Sequence, residues 1–141
     1  MNKPILCVDF DGVIHSYESG WQGADVVADG PVPGAIDFLS RATDHFDVCI
    51  YSSRSSQPGG REAMGGALAR WIKEWAETAP EGLTPPVVRM AAEKPAAFLT
   101  IDDRAVCFEG DFAALDPAKL AAFKPWNKRA ATVEKRPLGT P

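Results

Sequence analysis

Short, mainly apolar runs alternate with segments of helical periodicity along this chain, and this alternation limits the fold more strongly than any other feature. Four runs of four to six residues have the length of buried strands; they lie at Ile5–Phe10, Asp47–Tyr51, Val87–Met90 and Ala96–Ile101. Between the first two, Ala35–Phe46 repeats apolar residues at helical spacing. Strands that alternate with helices predict right-handed βαβ units around a mostly parallel sheet, and therefore an α/β fold.

A second helix is expected after Gly59-Gly60, and it has one apolar stripe. The stripe consists of Met64, Leu68, Trp71, Ile72 and Trp75. Gly65-Gly66 lies inside this helix and costs about 1 kcal/mol per glycine, so either the helix begins later or a neighbouring backbone packs closely there. Further along, Val106–Phe108 is a candidate fifth strand, and Asp111–Phe123 is a last helix that Pro117 can divide.

The chain of 141 residues has the length of one domain. We expect a domain over residues 1–123 with a flap at about 13–32, followed by a partly flexible tail at 124–141. The tail holds five basic residues and one acid, although the net charge of the whole chain is −4. Because the rest of the chain is acidic, nucleic acid is a possible partner but not a favoured one.

Composition and cysteine usage exclude several classes of protein. No apolar run approaches the roughly 18–20 residues that span a bilayer, so no membrane partner is expected. The N-terminal run is also too short for a signal peptide. Three cysteines without a CxxC pair, and two distant histidines, argue against a disulfide framework or a zinc site. We expect a cytoplasmic protein and leave its oligomeric state open.

Polar side chains collect at the ends of three predicted strands. The first strand ends in Asp9-Phe10-Asp11-Gly12, the second in Ser52-Ser53-Arg54 and the fourth in Asp102-Asp103-Arg104, while Lys94 precedes the fourth. In an open parallel sheet, ligands bind beyond the carboxyl ends of the strands. The sequence therefore predicts that four carboxylates, two hydroxyls and one ammonium group meet at one rim.

Carboxylates gathered in this way repel one another unless a cation offsets their charge. Mg²⁺ prefers oxygen ligands and is usually held by one or two carboxylates, waters and a substrate phosphate. The rim therefore predicts a magnesium site.

The run Ile5–Val13 resembles the first motif of the haloacid dehalogenase superfamily of phosphotransferases. Ser52, Lys94 and Asp102-Asp103 fall where the second, third and fourth motifs of that family belong. The resemblance covers residues 5 to about 108. It implies a Rossmann-like three-layer sandwich with a mostly parallel central sheet.

The resemblance also implies a phosphorylated substrate and a role for each residue at the rim. Asp9 is expected to be the nucleophile and Asp11 the general acid and base, while Ser52, Lys94 and the backbone N–H groups of the first motif hold the phosphoryl oxygens. The chemistry is consistent, because a cation and Lys94 offset the repulsion between a carboxylate and an anionic phosphate. Asp11 needs a pKa that is raised in the substrate complex by neighbouring negative charge.

Four residues are expected to bind the metal. They are Asp9, Asp11 through its backbone carbonyl, Asp102 and Asp103. Since Asp102 and Asp103 are adjacent, either can be the direct ligand, and we favour Asp102.

The acid at Asp11 points to a phosphatase or a phosphomutase rather than a dehalogenase, and hydrolysis is favoured. The intervals at about 13–32 and 55–93 are too short for a large cap domain, so the chain resembles the capless members. A capless site is open, which suits bulky phosphates or a lid from another subunit. The flap residues His15, Tyr17 and Trp21 either gate this site and stack on a substrate or pack the flap onto the body.

Two further alternatives stay open. Ser52-Ser53-Arg54 and Ile101-Asp102-Asp103-Arg104 resemble the phosphatase domain of polynucleotide kinase/phosphatases, which implies a 3′-phosphatase on nucleic-acid ends. Arg54 is then a substrate contact; otherwise it is a surface ion-pair partner. A chain that keeps this fold can also be a non-catalytic phosphate-binding module.

Overall fold

The computed structural model of the chain describes residues 2–129. The chain falls into two compact units that divide between Asp102 and Asp103. The domain boundary at 123 stays a prediction. The last part of the predicted tail, residues 130–141, lies outside the described residues. Among the described residues, no helix combines the length and the apolar character that crossing a membrane requires.

The first unit contains a four-stranded sheet and two helices. In chain order the elements are β1 (Ile5–Val8), α1 (Ala35–Thr43), β2 (Asp47–Ile50), α2 (Gly60–Ala76), β3 (Val88–Met90) and β4 (Leu99–Ile101). The strands lie in the order β3-β2-β1-β4, and every pair is parallel. The predicted α/β class with a parallel sheet is therefore confirmed, and each predicted strand of this unit is present within a few residues of its expected bounds.

Both helices share one core with one face of the sheet. Alternate strand residues point to that face, and the buried cluster joins them to the apolar stripes of α1 and α2; it includes Leu6, Val8, Val48, Ile50, Leu39, Met64, Leu68 and Trp71. Trp75 of α2 also donates a hydrogen bond to Asp37 of α1. The crossovers β1–α1–β2 and β2–α2–β3 move in the same direction along the sheet, so the right-handed rule places both helices on one side. A second helical layer is not found within residues 2–102, where the connection from β3 to β4 contains no helix.

On the opposite face, Cys7 of β1 and Cys49 of β2 are paired in register and buried. Burial is the main reason why the pKa of each thiol is raised. Both are free thiols that pack as small apolar side chains.

Helix α2 runs through Gly65 and Gly66 without interruption. A Cβ atom built at either glycine meets no other atom within 4 Å, so both of our explanations, a later start and a close backbone, are wrong. The close approach lies at the first residue of the helix instead, because a Cβ on Gly60 would be 1.9 Å from the carbonyl oxygen of Arg54.

The open site at Gly66 and the crowded site at Gly60 predict opposite effects of an alanine substitution on the stability of the protein. Gly66→Ala should raise the free energy of unfolding by about 1 kcal/mol, since alanine has the higher helix propensity and the site is open. Gly60→Ala should lower it, because the turn that carries Arg54 has to move. Urea unfolding of both variants checks this, and a destabilised Gly66→Ala would contradict it.

The second unit contains only short helical elements among its described residues. Phe112–Ala114 and Trp126–Lys128 form 3₁₀ turns, and α3 spans Pro117–Ala121. Asp116 caps α3 by accepting a hydrogen bond from the Ala118 N–H, and Pro117 occupies the first turn. The predicted last helix is therefore divided at Pro117. The strand predicted at Val106–Phe108 is wrong, since these residues adopt no regular structure.

Candidate active site

The parallel register brings the ends of β1 and β4 to one level. Val8 pairs with Ile101, so the next residues, Asp9 and Asp102, begin the rim side by side. The Asp9 N–H donates to the Ile101 carbonyl at 2.9 Å and extends the ladder beyond the strand. The register thus places the two acids as the strand ends predicted.

Three carboxylates lie together at this rim. Asp9, Asp102 and the next residue, Asp103, each present an oxygen within 4.8 Å of the others. Asp9 and Asp103 are partly buried and Asp102 is exposed, while the Phe10 N–H donates to Asp9 Oδ1 at 2.8 Å. Mg²⁺ prefers carboxylate oxygens of this kind as ligands. The donor set therefore fits Mg²⁺, which stays a prediction.

Ser52 lies in the tight turn that follows β2. Its side chain is almost fully buried, and its Oγ accepts a hydrogen bond from the Arg54 N–H at 3.2 Å. The Ser52 N–H in turn donates to Ser55 Oγ at 2.9 Å. A hydroxyl that accepts a hydrogen bond still has its own proton to donate. The contact with the Arg54 N–H therefore orients the Ser52 hydroxyl and leaves it able to donate.

Lys94 is exposed on the connection between β3 and β4. The pKa of the Cys7 thiol is raised first by burial and also by the charge of Asp9, whereas the charge of Lys94 lowers it. Cys7 thus lies within electrostatic range of both groups. This observation is consistent with Lys94 near the rim, and its contact with a phosphate stays a prediction.

Asp11 is held by two donors on a tight turn. His15 Nδ1 lies 2.9 Å from Asp11 Oδ1, and Arg54 Nε donates to both oxygens, at 2.8 Å to Oδ2 and 3.1 Å to Oδ1. Burial raises the pKa of Asp11, but the hydrogen bonds from His15 and Arg54 and the charge of Arg54 together outweigh burial and lower it. Asp11 is therefore a carboxylate at neutral pH in the free protein, which is the form a general base needs.

Arg54 is fully buried and joins Asp11 to the flap. Its Nη1 donates to three flap carbonyls, those of Gly23 (3.0 Å), Ala24 (2.9 Å) and Val26 (2.8 Å). The guanidinium carbon also lies 5.0 Å from the ring centroid of Trp21, which is 47% exposed. The alternative in which Arg54 is a surface ion-pair partner is wrong, because Arg54 pairs with Asp11 inside the protein. Contact between Arg54 and a substrate stays a prediction.

Sequence reasoning identified His15 but missed its partners. The ring is buried and stacks on Phe10 and Trp71, at centroid distances of 5.4 and 6.1 Å. It therefore packs the flap onto the body, which was one of the two alternatives. Its bond to Asp11 depends on a turn in which the His15 N–H donates to the Phe10 carbonyl. The spacing of four residues between Asp11 and His15 is the signal in the sequence that could have indicated this contact.

No family model, no curated protein and no solved structure matches this chain. The chemistry of the site therefore has to be argued from its own geometry.

The lowered pKa of Asp11 predicts an acid-dependent loss of stability. A carboxyl whose folded pKa is below its unfolded value, about 3.8, stabilises the fold above that value and loses this contribution as the pH falls through the folded pKa. The free energy of unfolding of the wild type, measured in EDTA, should therefore exceed that of Asp11→Asn most at neutral pH. The excess should shrink below about pH 4.

The matched control is Asp25→Asn, which changes an exposed carboxylate of the neighbouring flap. Urea titrations at several pH values make the comparison. If the excess free energy of unfolding of the wild type over Asp11→Asn grows on acidification, the lowered pKa of Asp11 is contradicted.

Proposed function

We propose that this chain is a Mg²⁺-dependent phosphomonoester hydrolase of the haloacid dehalogenase type that acts through an aspartyl-phosphate on Asp9. The observation that carries the proposal is the group of three carboxylates at the carboxyl edge of a parallel sheet. A ligand site is expected at that edge, and Asp11 lies on the turn that directly follows Asp9.

The metal would be held by Asp9, Asp102 and Asp103, together with the backbone carbonyl of Asp11. When bound, Mg²⁺ offsets the charges of the phosphate and of the carboxylates. Asp102 is the exposed member of the group, and we keep it as the favoured direct ligand.

In the first half of the reaction, a carboxylate oxygen of Asp9 attacks the phosphorus atom. The bond from phosphorus to the alcohol oxygen breaks, and Asp11 transfers its proton to that oxygen. Ser52 and Lys94 hold the other phosphoryl oxygens as their charge redistributes. In the second half, Asp11 takes a proton from water, which attacks the aspartyl-phosphate and releases inorganic phosphate.

The surroundings of Asp11 suit the second half more directly than the first. Arg54 and His15 favour its ionised form in the free protein, so Asp11 can accept a proton from water. To donate a proton first, it must be protonated in the substrate complex, where the negative phosphate opposes the effect of Arg54.

A second candidate is a 3′-phosphatase that acts on nucleic-acid ends. The observation that favours it is Trp21, an exposed aromatic ring held over the Arg54 guanidinium. Such a ring is a platform on which a base can stack. The net charge of −4 weighs against it, since backbone binding needs a positive surface.

We also propose a cytoplasmic location. The three cysteines, Cys7, Cys49 and Cys107, are free thiols, and Cys107 is exposed. Reducing compartments preserve exposed thiols, which supports this assignment.

Hydrolysis of an aryl phosphate tests the proposed function. The purified chain with Mg²⁺ should release phosphate, and EDTA should abolish the release. Asp9→Asn should reduce kcat by roughly 10³-fold or more, because it removes the nucleophile. The matched control is Asp44→Asn, which changes an exposed acid that follows α1 and should keep full activity.

A panel of phosphate esters that includes a 3′-phosphoryl oligonucleotide separates the candidates. Preference for the oligonucleotide would select the second one, and undiminished activity in Asp9→Asn would refute the covalent mechanism. A metal-replete chain that is inert across the panel, yet binds inorganic phosphate in calorimetry, would instead indicate a non-catalytic module.

A further inference from the structure

His15 occupies a fully buried place between the flap and the body of the first unit. Its ring stacks on Phe10 and Trp71 and meets the edge of Tyr17 at a centroid distance of 5.8 Å. A buried histidine needs a partner for each ring nitrogen. Two distinct groups of the protein supply these partners.

The hydrogen bonds of His15 define which ring nitrogen carries the proton. The Asp29 backbone N–H points to His15 Nε2 at 3.1 Å, and a backbone N–H can only donate. Nε2 must therefore accept, which leaves the proton of a neutral ring on Nδ1. Nδ1–H then donates to Asp11 Oδ1 at 2.9 Å.

Asp29, whose backbone N–H sets this tautomer, is itself held in place by hydrogen bonds. Both carboxylate oxygens of Asp29 are bound by Ser19, whose N–H donates at 2.7 Å and whose hydroxyl donates at 2.6 Å. The N–H of Asp29 is thus held in place by a second contact within the flap. A connected series of hydrogen bonds leads from Ser19 through Asp29 and His15 to Asp11.

We propose that His15 is a positioning residue for Asp11, and that the flap fixes His15 in its Nδ1–H form. The inference rests on the proposed function, in which Asp11 transfers protons. Arg54 binds Asp11 through Nε on one side, and His15 adds a second donor on Oδ1. Two donors of different direction hold the carboxylate in one orientation, and proton transfer depends on that orientation.

Two variants of His15 separate hydrogen bonding from packing. His15→Phe keeps a ring of similar size but removes both polar contacts. His15→Asn loses the ring, yet its amide nitrogen is bonded to Cγ as Nδ1 is, so it can still donate to Asp11. A purely structural role predicts that phenylalanine is the better replacement, whereas a positioning role predicts that asparagine is.

With an aryl phosphate and Mg²⁺, we expect kcat of His15→Phe to fall by about 10²-fold while KM changes less. His15→Asn should recover kcat to within about tenfold of the wild type, because the donor to Asp11 is restored. The matched control is His45→Phe, the same change at the other histidine, which is exposed. It should leave kcat unchanged.

Nuclear magnetic resonance of the imidazole nitrogens provides a readout that does not depend on activity. The chain has two histidines, so His45→Phe, a change at the exposed position, assigns the remaining signals to His15. We expect His15 to carry its proton on Nδ1 and to have an unprotonated Nε2. Because the measurement uses the wild-type chain, it tests the inference even if a variant does not fold.

The outcomes separate this inference from the proposed function. If the wild type is active and His15→Phe has the same kcat, the positioning role alone is overturned. It is also overturned if the kcat of His15→Asn is no higher than that of His15→Phe. A protonated Nε2 in the wild type would overturn it as well. A wild-type chain inert to every phosphate ester would instead refute the proposed function.

Discussion

The buried pairing of Arg54 with Asp11 connects three parts of the first unit that are distant in sequence. Arg54 comes from the turn after β2, Asp11 from the turn after β1, and the carbonyls that bind Arg54 Nη1 come from the flap. A charge without solvent contact is stable only when it is paired and hydrogen-bonded. Removal of Asp11 would leave the buried Arg54 charge without its carboxylate, so the flap, the acid and the β2 turn depend on one another.

This pairing explains why the turn after β2 has its particular sequence. The turn must bring the Arg54 backbone against the first residue of α2, where only a glycine fits at position 60. The same turn orients Ser52 through its contact with the Arg54 N–H. A residue expected to bind phosphate and a residue that holds the acid are therefore fixed by one local structure.

Several features could be predicted because they depend on local sequence. Apolar runs bounded by polar residues predicted the strands, and the strand ends predicted that Asp9 and Asp102 would meet, since parallel strands end at the same edge of a sheet. Other features depended on what lies nearby in space. The glycines within α2 face open space, and the apolar residues at Val106–Phe108 form no strand, because apolar content alone does not provide a pairing partner.

The sequence by itself determined the class of fold and the group of acids at the rim, since strand periodicity and chain order control both. Only the tertiary structure decided the state of Asp11. Its partner Arg54 is 43 positions away, and His15 is held through Asp29 across the flap. Ionisation depends on distances between charges and on burial, and neither quantity can be obtained from the spacing of residues along the chain.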